Sequence, residues 1–441
     1  MIIKNLKINK YKSIRKPISL NFSGLNIFIG QNNCGKSNIL DALEFIFDEK
    51  KDLPTGQAGK TNLFYPDASI ELRLELDSEE QKKYNSEKNL GLVLNKGKRK
   101  NLSGKNLNLL NQKIKRLDEE SFLNYKQIRI DYNTLYDHPS GLNSFKKSLK
   151  KHFPKIVIDE NAMDLKYEND GLYEGKRRVT MDYLGSGFGR IFTILLYIFH
   201  PEYTVVMINE PEIHLHPAIV KKLLWAMKNS QAGQIFFTTH SPLFVTPSTL
   251  HNLFRVSKSG QNTNVYSLEE GRYAHERLVQ ELNADNLEMF FADKVILVEG
   301  PSDQLLLRGL INCFYKGNKE IKIIQVYGKS NVSVYADLLK IFKIPFLIIL
   351  DRDVLKGYQL VNLMRHLEIN LPKMNEEKLL KELKKKSIFI FPNGDLEANY
   401  PRKYQKEKSK SMNALLAVNQ ITDADFYSKG MKNLREIIQS I

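Results

Sequence analysis

Only two cysteines occur in the 441 residues, Cys34 and Cys313, and neither has a partner at metal-ligand spacing, which leaves no disulfide framework and no zinc framework to read. Such usage suits a reducing compartment. Long apolar runs are missing too: Ile344 to Leu350 has the length of a strand, and no run approaches the roughly 20 residues a membrane span requires. The chain opens on a strand-like, lysine-containing segment rather than a charged head and an apolar stretch, so no secretory signal is read and a cytoplasmic address is expected, with no membrane partner. Acidic residues are scarce over long intervals. Lys82 to Arg116 holds eleven Lys/Arg against the single acid Glu87, and Lys146, Lys147, Lys150, Lys151 and Lys155 follow with no acid among them. With a formal net charge of +16, such clusters attract polyanions, of which nucleic acid is the commonest; the other reading is a solvated lysine-rich face. Aromatic residues are thin here, with Tyr84 and Tyr125 standing alone, so a duplex backbone is expected rather than stacked single strands.

What is present begins with length and composition. At about 100–200 residues per domain the chain should form two or three, two being the working count, and its 42% hydrophobic residues suffice for well-packed cores. Gly30, Gly35, Lys36 and Ser37 fit GxxxxGKS, with Asn33 inside the loop and Asn38 beside it. Glycines let backbone N–H groups approach a phosphate chain, Lys36 meets the β- and γ-phosphates, and Ser37 binds Mg²⁺. The context is right. Leu25 to Ile29 is a short apolar strand, and Ile39, Leu40, Leu43 and Ile46 recur at helical spacing after the loop. ATP is the expected cofactor.

Further along, Ala68 to Leu76 alternates as a strand does, and the Asn-rich basic stretch from Lys82 to Asn111 reads as an inserted, mobile segment. Leu184-Gly185-Ser186-Gly187 opens an apolar helix whose N-terminus offers N–H groups to an anion, although a glycine turn before a helix is also a common cap. Thr204 to Ile208 is a buried-type strand ending in Asn209-Glu210-Pro211-Glu212, which makes Glu210 the candidate for polarising an attacking water. Gln234 to Thr238 ends in Thr239-His240-Ser241-Pro242, where His240 is placed to meet a γ-phosphate.

In that order, phosphate loop, LGSG signature, acidic strand with EPE and HLHP, and TTHSP switch, residues 1 to about 250 resemble an ABC-type ATPase head of the SMC-like group. The resemblance implies that two heads dimerise around two nucleotides, Ser186 and Gly187 of one subunit reaching the phosphate held by Gly35, Lys36 and Ser37 of the other. One position departs from the pattern. Asn209 stands where such heads carry a carboxylate that holds Mg²⁺ through water; an amide oxygen brings no charge, so weaker metal binding and slow turnover are expected. Gln57 is available for the glutamine that contacts the metal in such heads, though its surroundings do not match the motif.

Residues 251 to 292 are polar and charged, with a helix-like stretch over Tyr273 to Leu282, and read as a connector. A second domain, 293 to 441, alternates strands with helices in the manner of a small parallel sheet. Its first strand, Lys294 to Val298, leads into Glu299-Gly300-Pro301-Ser302-Asp303; Ile321 to Val326 into Gly328-Lys329-Ser330-Asn331; and Pro345 to Leu350 into Asp351-Arg352-Asp353. Carboxylates at the C-terminal ends of parallel strands collect at one edge and repel one another unless a cation lies between them. Glu299, Asp303, Asp351 and Asp353 would take Mg²⁺ or Mn²⁺, with a helix-capping role as the other reading of Asp303.

A glutamate on the first strand and a DxD on a later one resemble the Toprim domain. With VEGPSD, GKSN, DRD and Gly394-Asp395-Leu396-Glu397 in this order behind an ATPase, nearly the whole chain resembles the OLD family of nucleases, to which the ATPase-nuclease subunit of Gabija anti-phage systems is related. The expected fold is therefore α/β: an ABC-type head, with a basic insertion over about 80–155, followed by a smaller Toprim domain. The resemblance implies ATP-binding, divalent-metal-dependent cleavage of DNA in phage defence. The metals would sit on Glu299, Asp303, Asp351, Asp353 and Asp395 or Glu397, and a late lysine would stabilise transition-state charge. Lys410 fits that lysine best, with Lys408 and Lys403 behind it. Expected partners are duplex DNA, further copies of the chain through paired heads, and a helicase-like or other defence-system protein. A DNA clamp or sensor that uses Toprim only for docking, and a Toprim nuclease acting on RNA, are the alternatives.

Overall fold

The structure is a computed structural model that describes residues 1–48, 64–84, 86–95, 98–100, 105–159, 171–181, 183–268 and 286–441. Gln57 and the helix-like stretch 273–282 lie outside them. Two compact units form, Met1–Leu268 and Glu269–Ile441.

In the first unit β1 (Ile2–Tyr11), β2 (Ile18–Asn21) and β3 (Leu25–Ile29) lead to the phosphate-loop helix (Lys36–Phe45), then to β4 (Phe64–Glu75), β5 (Asn89–Asn95), β6 (Lys98–Lys100) and β7 (Ile114–Leu117). β8 (Ile156–Ile158), β9 (Leu172–Glu174) and β10 (Arg177–Val179) make a small antiparallel sheet ahead of the signature helix, Ser186–Ile198. β11 (Val205–Asn209), β12 (Gln234–Thr239) and the hairpin of β13 (Leu253–Ser259) with β14 (Asn262–Ser267) complete it.

The strands sort into an antiparallel sheet, β2-β1-β4-β5-β6, and a six-stranded sheet, β14-β13-β3-β12-β11-β7, parallel except at β14. β3 and β12 are buried along their whole length, as apolar parallel strands covered on both faces must be. The antiparallel sheet instead alternates: Ile70, Leu72 and Leu74 turn inward and meet Leu90, Leu92 and Leu94 across the ladder. The main core lies where these residues, Ile39, Leu40 and Leu43 of the phosphate-loop helix, and Phe28, Phe236 and Phe254 of the parallel sheet pack together.

Two stretches differ from their sequence reading. The region set apart as an insertion supplies sheet strands: β5 joins the antiparallel sheet and β7 forms an edge of the parallel one. Its period-two leucines, Leu90, Leu92 and Leu94, outweigh the lysines and asparagines around them once a partner strand is present. The hairpin β13–β14 lies in the stretch read as connector but extends the head sheet, because Leu253, Phe254 and Val256 are buried against β3.

In the second unit β15 (Lys294–Val298), β16 (Ile321–Gln325), β17 (Phe346–Leu350) and β18 (Ile388–Ile390) form one parallel sheet in the order β16-β15-β17-β18. Chain order therefore reverses between β15 and β17, which opens a crevice at their C-terminal ends. Helices Pro301–Phe314 and Lys410–Gln420 pack so closely that a Cβ on Gly309 would run into Val418. On the helix Glu376–Lys385 the basic face is partly neutralised, with Lys381 on Glu377, Lys385 on Glu382 and Lys384 on Glu436. Among the described residues no helix is long and apolar enough to cross a membrane.

Candidate nucleotide and metal sites

Adjacency of β3, β12 and β11 sets three sequence-distant motifs side by side at one sheet edge. The loop after β3 is shaped by Gly30 at φ +149° and Gly35 at φ +106°. A Cβ on Gly30 would strike the carbonyl oxygen of Val256, and one on Gly35 would strike Thr263 and Ser13, so the hairpin β13–β14 walls the loop. Thr263 Oγ1 donates to Cys34 O at 2.7 Å, and Asn38 Nδ2 donates to Ser13 Oγ at 2.6 Å. Asn38 thus braces the loop through its side chain, while Asn33 and Ser37 are exposed.

Lys36 is buried, and its ammonium donates to Gly30 O at 3.0 Å and Gln31 O at 2.9 Å. Its Nζ also lies 2.8 Å from His240 Nε2, which is 2.9 Å from Glu210 Oε1. Lys36, His240 and Glu210 thus form one chain of contacts. Burial pushes the Lys36 pKa down. Burial, then the Lys36 charge, push that of His240 down against the opposing pull of Glu210 and Glu212. Glycine loop, buried lysine and strand-tip carboxylate have the chemistry to hold a nucleoside triphosphate. At the metal-side position, Asn209 Oδ1 accepts from Thr238 Oγ1 at 3.4 Å.

Two residues not assigned from sequence hold this edge together. Glu212 Oε1 accepts from Thr239 Oγ1 at 2.7 Å and from His240 N at 2.8 Å, which fixes the switch backbone, and its buried Oε2 has no partner. Arg190, on the first turns of the signature helix, forks onto Glu119 at 3.0 and 3.3 Å. The same guanidinium donates to Glu210 O at 2.9 Å and Asn209 O at 3.3 Å. Glu210 needs that hold, since its φ of +48° is the left-handed region. Both residues stood within quoted motifs, but their partners are remote in sequence. Ser186 is exposed and Gly187 half-buried at the open end of their helix, beside His214 O of the same chain.

In the second unit the crevice between β15 and β17 collects the acids. Asp351 N donates to Glu299 Oε1 at 3.2 Å across it. Burial raises the Asp351 pKa to about 7, with help from Glu299, Asp303, Asp395 and Asp353. Asp303 is raised by burial, then by Glu397 and Asp395 against the Gly300 N–H and Lys410. It also accepts from Gly300 N at 3.0 Å, so it caps its helix while belonging to the acid group. Lys410 lies 2.9 Å from Asp395 Oδ2 and 3.0 Å from Glu397 Oε2, whereas Lys403 is spent on Asp425 and Lys408 is exposed. Of the three lysines, Lys410 is the one that joins the acids. Their donors are all hard oxygens, and Glu397 Oε1 is buried with no partner, which suits a divalent cation. No three acid, cysteine or histidine side chains among the described residues are already closed on a common point, and lysines stand between them.

Known proteins bear on both units. Residues 290–353 match the family described as "Overcoming lysogenization defect protein-like, TOPRIM domain", residues 1–140 an "AAA ATPase domain", and residues 171–246 an "AAA domain, putative AbiEii toxin, Type IV TA system". The "OLD nuclease" of Thermus scotoductus is 29% identical over 162 residues, which cover 34% of this chain and 31% of that protein. The "Endonuclease GajA" of Bacillus cereus strain VD045 is 23% identical over 399 residues, covering 71% of this chain and 68% of that one. The chain thus spans about a third of the first relative's length and two thirds of the second's. A solved Smc head bound to the C-terminal winged-helix domain of ScpA is 15% identical, covering 62% of this chain and 99% of that one at TM-score 0.48. Motif order, strand topology and the matches over residues 1–140 and 290–353 together give an ATPase head followed by a domain that matches the OLD-like Toprim model.

Proposed function

We propose that this chain is a nucleotide-regulated, divalent-metal-dependent DNA endonuclease of the OLD type, acting in anti-phage defence as a homo-oligomer built on paired heads. One observation carries the reading: the charges of Glu299, Asp303, Asp395 and Asp353 all bear on Asp351 at the crevice where strand order reverses, and Lys410 lies on Asp395 and Glu397. Relatives named as nucleases supply the reaction class. A divalent cation held by these acids would neutralise phosphate charge and acidify a bound water. Lys410 holds Asp395 and Glu397 in place and offers its ammonium to charge developing on a phosphate.

In the head, Lys36 would exchange its loop carbonyls for phosphate oxygens, and Glu210, steadied by Arg190, would orient water beside His240. Asn209 supplies no charge to a metal, which favours slow turnover and a switching role for nucleotide. Ser186 and Gly187, open at their helix end, would meet a second head's nucleotide.

The test incubates purified protein with supercoiled plasmid and Mg²⁺ or Mn²⁺, with and without ATP. Cleavage lost in Asp351→Ala but with nucleotide binding kept, and nucleotide binding lost in Lys36→Ala, are expected. Cleavage by Asp351→Ala would refute the site, and intact plasmid throughout would favour a clamp or an RNA substrate.

A further inference from the structure

Of the strand-end motifs in the second unit, Gly328-Lys329-Ser330-Asn331 is the one the nuclease reading leaves without work. The structure shows a built turn. Gly328 takes φ +119°, costly for a residue with a side chain, and opens a 3-10 turn over Lys329–Asn331. Asn331 closes that turn: its N donates to Gly328 O at 3.1 Å and its Nδ2 to Val326 O at 3.0 Å. Tied at both ends, the turn aims Lys329 at acids from two other strand ends. Its ammonium pairs with Asp353 Oδ1 and lies 3.8 Å from Glu299 Oε2. The lysine is 22% exposed and Asp353 68%, so without this partner the aspartate would be free to turn to solvent.

We infer that Lys329 is the resident counter-cation of Glu299 and Asp353, which neutralises the pair in the metal-free protein and competes with a divalent cation for it. The inference rests on the proposed metal requirement. Two carboxylates kept close without a cation repel each other, and the lysine relieves this. The residue type matters. A lysine is a compact charge on a flexible stem and can leave, whereas an arginine fork would stay bonded to both oxygens. A bound competitor lowers apparent affinity in proportion to the fraction of sites it occupies. Lys410 does the same for Asp395 and Glu397, but its turn toward phosphate is already part of the proposed reaction; Lys329 is the ammonium whose whole role lies with the acids.

The experiment titrates the full chain, stripped with chelator and without nucleotide, with Mn²⁺, reading free ion by electron paramagnetic resonance. Wild type is compared with Lys329→Met, Lys329→Arg and Asp351→Ala, each checked for wild-type circular dichroism. Lys329→Met should bind Mn²⁺ about ten-fold more tightly, the equivalent of one partly buried ion pair, and Lys329→Arg more weakly than wild type. A structural prop predicts the reverse for methionine, since loosened acids bind less well. Equal or weaker binding by Lys329→Met, while wild type binds and Asp351→Ala does not, overturns the role of Lys329 alone. Absence of Mn²⁺ binding by wild type overturns the metal reading and the counter-cation role with it.

Discussion

Replacing Arg190 with methionine should damage the head twice, once in stability and once in chemistry. The guanidinium is 3% exposed and lies 4.1 Å from the Phe122 ring centre. Its charged donations to Glu210 O and Asn209 O share one nitrogen, at 2.9 and 3.3 Å, and together are worth about 2–4 kcal/mol at about 1.5–3 each, less for the longer one. The pair with Glu119 adds at most about 1 kcal/mol, because that glutamate is 60% exposed and rehydrates when left alone. Stacking on Phe122 adds about 1 kcal/mol more. The expected loss is about 3–6 kcal/mol in urea unfolding of the full chain. The chemical effect follows from backbone strain. Glu210 at φ +48° lies about 1–2 kcal/mol above its relaxed conformation, and without Arg190 its carbonyl keeps only the longer bond from Ile213 N, at 3.3 Å, to hold it there. Relaxation carries Oε1 away from His240, so nucleotide should still bind while hydrolysis falls about ten-fold or more. Arg190→Lys, which keeps the charge without the fork, should fall between. Stability within about 1 kcal/mol of wild type for Arg190→Met, or an equal loss in Glu119→Gln, would show that the carbonyl donations do not matter.

Gly30→Ala puts a Cβ against Val256 O at a φ of +149°, so it should cost more than about 1 kcal/mol and abolish binding of a fluorescent ATP analogue; retained binding would mean that the hairpin yields. The Asp351 pKa, raised to about 7 from an unfolded value near 4, means that the folded chain holds a proton which the unfolded chain releases between those pH values. Stability in chelator should therefore fall as pH rises from about 4 to about 7, and Asp351→Asn should flatten that fall in denaturant midpoints measured across the range. Lys410→Ala should abolish plasmid cleavage and Lys403→Ala should spare it, since Lys403 serves Asp425; the opposite pattern would reassign the late lysine. Gly309→Ala should cost about 1–3 kcal/mol by thermal unfolding through its clash with Val418, and a neutral result would show that the two helices can part.

Motif-bearing strand ends were legible because their chemistry is written in short strings: the glycine loop, Glu210 after β11, His240 after β12, and Glu299 and Asp351 after β15 and β17. What joins them was not. Arg190 meets Glu210 only through the fold, although both stand in quoted motifs, and Glu212 bonds the switch 28 residues on. β5 was hidden by composition, its three inward leucines diluted by lysine and asparagine. The hairpin β13–β14 was hidden by polarity, because its burial includes Arg255 and Thr263 as well as apolar residues. Three candidate lysines near the end were indistinguishable as text, and Lys410 separates from them only when Asp395 and Glu397 are seen beside it.

The hairpin that walls the phosphate loop also dictates when the head can come into being on the ribosome. β3 is flanked by β12 and β13, and Thr263 reaches back across 229 residues to Cys34. At about 5–20 residues per second, translation leaves the finished glycine loop waiting roughly ten to forty-five seconds for its wall. The antiparallel ribbon of β1, β2, β4 and β5 can assemble meanwhile from nearer neighbours. A nascent chain released between Asn38 and Asn252 therefore carries every residue of the phosphate loop and none of the hairpin that walls it.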